Sequence, residues 1–201
     1  MPGTGTTGMP EEYFGTIQWA LTPERRVMYV SPHEDEHNEQ ETSRFTIHVI
    51  SLDTFEDFKI YQEYTPVLVP EDFKETFINS EKDDIKRRAQ RDRISAIVMS
   101  NYEKNVSIYK ALKYFPSIYI VRMDRNYAFL FTADRTNKTR MRSENLFAYV
   151  VDLNTGESTS VAKFTFIPYV IMNGYAYWIR SGRDIFPTIE KYKIDPAVYG
   201  K

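Results

Sequence analysis

The chain contains no cysteine in its 201 residues. That absence excludes a disulfide framework, a thiolate zinc site and a cysteine nucleophile together. Histidine is nearly as scarce. His33, His37 and His48 all fall between Pro32 and Val49, which leaves little from which to assemble a Ser-His-Asp triad. No G-x-S-x-G, G-x-G-x-x-G or G-x-x-x-x-G-K-[ST] occurs, so neither a nucleophile elbow nor a phosphate-cradling loop has support. No apolar run approaches membrane-spanning length, and no membrane span is expected. The opening "MPGTGTTGMP" lacks a basic start followed by an apolar stretch, so no signal peptide is read in it. A net charge of −2 provides no basic footprint for nucleic acid. The one basic run, "KRRAQRDR", is interrupted by Asp92 and preceded by Asp83 and Asp84; it reads as a solvated helix end with intrahelical pairs.

What is present is globular in composition, 42% hydrophobic and 27% charged, at a length that suits one domain or one piece of a larger one. Fifteen Tyr and thirteen Phe against eight Gly favour pleated, half-buried surfaces and hence strands. "GTIQWALTPERRVMYVSP" places two short apolar stretches around a Thr22-Pro23-Glu24-Arg25 turn, the pattern of a hairpin. In "RFTIHVISLD", Phe45, Ile47 and Val49 alternate with Thr46, His48 and Ile50, the two-residue period of a strand. Phe58, Ile60 and Tyr64 mark a fourth strand. Between Pro70 and Arg93 the period changes: Phe73, Phe77, Ile78, Ile85 and Ala89 recur at helical spacing. Pro70 with Glu71, Asp72 and Glu75 at the start and Arg87, Arg88, Arg91 and Arg93 at the end suit the helix macrodipole. The stretch from Ile94 to Leu112 fits either further helix or a buried strand. Three more hairpins follow, turning at Asp124-Arg125-Asn126, at Asn154-Thr155-Gly156-Glu157 and at Asn173-Gly174. The last is the strongest short hairpin signal, because both residues tolerate positive φ. A final strand lies around Ile189 to Ile194.

The segment His33-Glu34-Asp35-Glu36-His37 matches the H-E-x-x-H signature of zinc proteases. That chemistry needs both histidines on one face of a helix, the glutamate as general base and a third ligand further on. Here Pro32 precedes the motif, and Asn38-Glu39-Gln40-Glu41 follow it without an apolar residue to seat a helix. The segment therefore reads as a solvated loop between strands. No metal site is expected, and a metal-dependent hydrolase using His33 and His37 stands as the alternative.

"IQWALTPERRVMYVSP", "IYIVRMDRNYAFLFTAD" and "PYVIMNGYAYWIRSG" share one plan: a strand, a short polar turn, and a strand with aromatics. The first two are followed by a second hairpin, "FTIHVISLDTFEDFKI" and "LFAYVVDLNTGESTSV". The unit is four antiparallel strands, present twice and then in part. With "EYTPVLVPEDFKETF", "KYFPSIYIVRMDRNYAFLFT", "AYVVDLNTGE" and "GYAYWIRSGRDIFPTIEKYKID", the chain resembles the bacterial six-bladed β-propeller family related to NHL-repeat proteins, of the Bacteroidetes type, in its carboxy-terminal blades. Pro116, Ile120 and Asp124 follow that family's blade opening.

The expected fold is mainly β, two to three propeller-like four-stranded antiparallel blades with a helical insertion around residues 70–93. The divisions are a flexible lead-in at 1–14, a first blade at 15–66, an insertion at 67–115, a second blade at 116–164 and a partial third at 165–201. Fewer than three blades do not close a propeller, so self-association or further blades from a longer chain would complete it. A single β-sandwich or α+β domain built from the same hairpins is the alternative. The resemblance implies a periplasmic or cell-surface location, with an export leader missing from this chain.

The function expected is non-catalytic: binding of a protein, peptide or glycan through strand faces and loops, with no cofactor. Tyr175, Tyr177, Trp178 and Asp124 are the candidate ligand-binding residues. Tyr175 and Tyr177 share one strand face, and Trp178 points the other way. Strand-end aspartates such as Asp53, Asp124 and Asp152 cap turns more often than they line a funnel mouth. The alternative is a propeller-type hydrolase or lyase acting at such a mouth.

Overall fold

The computed structural model describes residues 17–38, 42–91, 96–132, 146–182 and 185–200. The lead-in at 1–14, Arg93 and Ile94 lie outside the described residues. The described residues divide into two compact units, one drawn from 15–65 and 116–201, the other from 66–115.

The larger unit is mainly β. The first sheet is a meander of β1 (Gln18–Thr22), β2 (Arg26–Val30), β3 (Ser43–Ser51) and β4 (Asp57–Tyr64). The second repeats it with β5 (Ile120–Asp124), β6 (Tyr127–Thr132), β7 (Leu146–Asp152) and β8 (Ser158–Phe164). The third has three strands, β9 (Val170–Met172), β10 (Tyr175–Gly182) and β11 (Ile185–Lys193), with β10 in the middle. Neighbouring strands are antiparallel throughout.

The repeat persists at the level of single hydrogen bonds. Arg26 pairs with Ser51, Tyr127 with Asp152 and Tyr175 with Lys193. Just beyond those pairs, Leu52 N–H donates to Arg25 O, Leu153 N–H to Asn126 O and Ile194 N–H to Gly174 O, each at 2.9 Å. One register therefore aligns all three sheets. At the Asn173-Gly174 tip, φ is 53° and 77°, the positive pair that a two-residue hairpin with right-handed strand twist requires.

The β3–β4 and β7–β8 turns are also equivalent, and they expose an inequality. Phe55 N–H donates to Ser51 O at 2.9 Å, and Gly156 N–H donates to Asp152 O at 2.8 Å. Gly156 takes φ 76°, and a Cβ there would sit 3.2 Å from the Phe58 ring. Phe55 takes φ 59° with its ring 78% exposed, so nothing compensates the steric cost of the left-handed region. Phe55→Gly is expected to raise stability by about 1 kcal/mol, read as a higher urea midpoint with unchanged slope.

The register also separates two faces. On one face of the first sheet lie Met28, Val30, Phe45, Ile47, Val49, Ile60 and Tyr64, packed with Val121, Ala128, Leu130 and Val151 of the second. The other face of the second sheet, with Phe129, Phe131, Leu146, Ala148 and Val150, packs on Ile171, Ala176 and Trp178 of the third. The second sheet is thus the middle layer of three. Each fully buried apolar side chain in these layers contributes about 1.5–3 kcal/mol.

The smaller unit is a helical hairpin. The helical period at 70–93 corresponds to α1 (Glu71–Arg91), and the ambiguous stretch after it folds as a second helix, α2 (Ala96–Ala111). Of the two readings of that stretch, further helix or buried strand, the helix is the one that forms. Phe77 stacks on Tyr109 at 5.4 Å and Phe73 meets Phe115 edge-on at 5.2 Å. A bridge between Leu68 and Tyr114 closes the base. Among the described residues no helix is long and apolar enough to cross a membrane.

Candidate functional site

The most structured polar cluster lies on the first sheet, around a histidine. Strand alternation turns Phe45, Ile47 and Val49 inward, so His48 belongs to the opposite face, yet its side chain is buried too. Tyr29, directly across the ladder, stacks on it with ring centroids 4.4 Å apart and planes 7° from parallel. His48 Nδ1 lies 2.8 Å from Asp57 Oδ2, and Nε2 lies 2.7 Å from Glu34 Oε2. Asp57 comes from the start of β4, and Glu34 from a 3-10 turn, Pro32–Glu34. A neutral imidazole has a single N–H. Here each of the two ring nitrogens faces a carboxylate oxygen. Burial, and then the negative charges of Glu34 and Asp57, raise the Tyr29 hydroxyl above its ordinary value.

The loop expected at 31–41 is described over 31–38; His33, Glu34, Glu36, His37 and Asn38 are exposed there, as a solvated loop requires, but several of its side chains also bind back to the unit. Besides Glu34, Asp35 accepts from Ser117 N–H at 2.9 Å and from Ser117 Oγ at 2.7 Å. His37 Nδ1 lies 3.0 Å from Tyr64 Oη, and Glu36 pairs with Arg44 across a backbone bridge. Proline at the entry and the short 3-10 turn replace the helix that H-E-x-x-H chemistry needs. Among the described residues no three His, Asp or Glu side chains are placed to hold a metal. Beside the turn lies an open depression of about 380 Å³ lined by His33, Glu34, Asp35, Glu36, Thr46, Lys59 and Tyr61.

Burial raises the Asp35 carboxyl above its usual value, against the lowering effect of the two Ser117 bonds. The folded state therefore binds this proton more tightly than the unfolded chain. Its contribution favours folding at low pH and is lost as pH rises through the folded value. Asp35→Asn, with an amide that both accepts and donates to Ser117, removes that dependence. The stability difference between parent and variant is expected to shift in the parent's favour as pH falls from 7 towards 4. Paired urea titrations measure it.

The four candidate ligand residues part company. Asp124, at the end of β5, is buried, and its carboxylate accepts from Asn173 N–H and Gly174 N–H at 2.8 Å each and from Tyr199 Oη at 2.7 Å. It caps a turn, but the turn of a different hairpin. Burial and the Asp124 hydrogen bond drive the Tyr199 hydroxyl far above its ordinary value. Trp178 is 9% exposed and packs on Phe166 and Tyr169. Tyr175 and Tyr177 share the open face of the third sheet. Lys191 lies over both rings, 3.8 Å and 5.9 Å from their centroids. Val170 and Met172 pair with Tyr177 and Tyr175 and extend that face.

Sequence reasoning missed His48, Glu34, Asp57 and Lys191 as a set. The signal for His48 was a lone histidine inside an apolar strand; for Lys191 it was a cation where the aligned positions of the other sheets carry Val49 and Val150. No family model, curated protein or solved structure matches the chain.

Proposed function

We propose that this chain is a non-catalytic binding module of β-propeller type, its sheets serving as blades that present one open aromatic face to a protein, peptide or glycan. The observation that supports it most is the state of the histidine cluster built around His48. Both ring nitrogens of His48 are held by carboxylates at hydrogen-bond distance, and an imidazole so held has none to offer a substrate. The cluster is built as a clamp.

The face of Tyr175, Tyr177 and Lys191 has instead the composition of a recognition surface: rigid aromatic area with a cation resting on it. Function inferred from fold alone is analogy, so the reading rests on these residues. Peptide and glycan arrays probed with nanomolar chain test it. Saturable capture by the parent, lost in a Tyr177→Ser, Lys191→Ser double variant, is expected. Turnover of ester, peptide or glycoside substrates by the parent would overturn it.

A further inference from the structure

The single register that aligns the three sheets allows their faces to be compared position by position. In the middle sheet, Val121, Ala128, Leu130 and Val151 face the first sheet and are buried. Their counterparts in the third sheet include Ala176 and Trp178, also buried, against the second. In the first sheet the same positions carry Trp19, Val27, Tyr29 and Ile50, equally apolar; among the described residues no sheet packs over them, and they are half-buried or exposed. Trp19 and Leu21 on the edge strand are 66% and 61% exposed, and Ile17 continues the stripe. The opposite face behaves conversely. Met28 and Val30 in the first sheet and Phe129 and Phe131 in the second are buried by the next layer. Their counterparts Tyr177 and Ile179 in the third lie on an open face with Val170, Met172 and Ile189.

Two successive layers thus pack in one sense, the forward face of each sheet on the rearward face of the next. The stack ends with one unpaired face of each kind. Lys191 and Lys193 stand among the apolar residues of the third sheet's forward face. The rearward face of the first sheet is mixed in sign: Glu34, Asp57 and Glu63 share it with His48, Lys59 and Arg44. A lysine buried in such a contact needs an acidic partner, and that face holds carboxylates to pair with it.

The geometry points to a second copy of this chain as the occupant: the third-sheet face bearing Tyr177 and Lys191 docks on the first-sheet face bearing Trp19, Leu21 and Tyr29 of another molecule, head to tail. This rests on the reading that the third-sheet face is a binding surface, and it names the partner. A head-to-tail contact repeats until it closes or grows without end. Two copies bring six sheets together, within the range of four to eight over which such stacks close.

Sedimentation at tens of micromolar tests it on the full chain. The parent is expected at twice the 23.7 kDa chain mass. Trp19→Glu and Tyr177→Glu are each expected to sediment as monomers, and Lys191→Glu to weaken the pair at least about tenfold. All three positions lie on open faces, so unchanged thermal melts confirm that the variants fold. Mixing Trp19→Glu with Tyr177→Glu restores one unmodified interface, so a heterodimer forms where neither variant self-associates. A monomeric parent, a dimer insensitive to either glutamate, or a mass that grows past two copies with concentration would overturn the closed pair. A monomeric parent that still shows Tyr177-dependent capture on the arrays removes the self-association alone, whereas substrate turnover removes the binding-module reading.

Discussion

Asp124→Ala is expected to lower the stability of the sheet unit by about 3–5 kcal/mol, the largest effect of any single polar substitution considered. The carboxylate accepts three hydrogen bonds inside the protein, two of them from the backbone of the Asn173-Gly174 turn. Removing it leaves those part-buried N–H groups and the Tyr199 hydroxyl without their acceptor, each at a cost of about 1 kcal/mol or more. It also cuts a polar tie between the end of β5 and the third sheet. Tyr199→Phe deletes one donor and its hydroxyl together, so about 1–2 kcal/mol is expected. Both tryptophans, Trp19 and Trp178, belong to the sheet unit, so tryptophan fluorescence in urea follows that unit specifically. A loss below 1 kcal/mol for Asp124→Ala would mean that water replaces the carboxylate without difficulty.

His48→Ala is expected to cost about 2–3 kcal/mol. The ring is buried between Tyr29 and two carboxylates, and its removal leaves Glu34 and Asp57 facing a gap with no proton to share. Their side chains remain 44% and 33% exposed, so water recovers part of the loss and holds the figure at the lower end for a broken buried pair. Glu34→Gln keeps a polar partner for Nε2 and is expected to cost about 1 kcal/mol or less. The contrast matters for function. If His48 only clamps the 3-10 turn onto β3, the variants differ in stability, and array capture through Tyr177 is unchanged once both are folded. The urea midpoints and the array signal together measure this.

Most of the strands were legible because their causes are local. Phe45, Ile47 and Val49 alternate over a stretch too short for anything else to compete, and Asn173-Gly174 carries its turn in its own φ preferences. The order within each sheet followed from the turns, since short connections make neighbours in sequence neighbours in space. The second helix was not legible. Ile97, Val98, Tyr109 and Leu112 have no single period, and its pairing with α1 through Phe77 and Tyr109 decides the matter. Nor was the His48 cluster, whose members come from positions 34, 48 and 57 and meet only through the 3-10 turn at 32–34.

By itself the sequence determined the alternation, the turns and hence three antiparallel sheets, together with the absence of cysteine chemistry. Those properties depend on residues a few positions apart, where backbone sterics and side-chain period act without help. Only the tertiary structure decided which face of each sheet is buried, that Asp124 serves the turn of another hairpin, and that His48 has both nitrogens occupied. Each of those depends on groups brought together from distant parts of the chain. Burial changes the value of a polar contact far more than any local preference does. Thr22 makes the point in reverse. It occupies in the first sheet the position that Asp124 holds in the second, yet its buried hydroxyl has no hydrogen-bond partner, so an equivalent place in the local repeat carries a different polar role once the neighbouring layers differ.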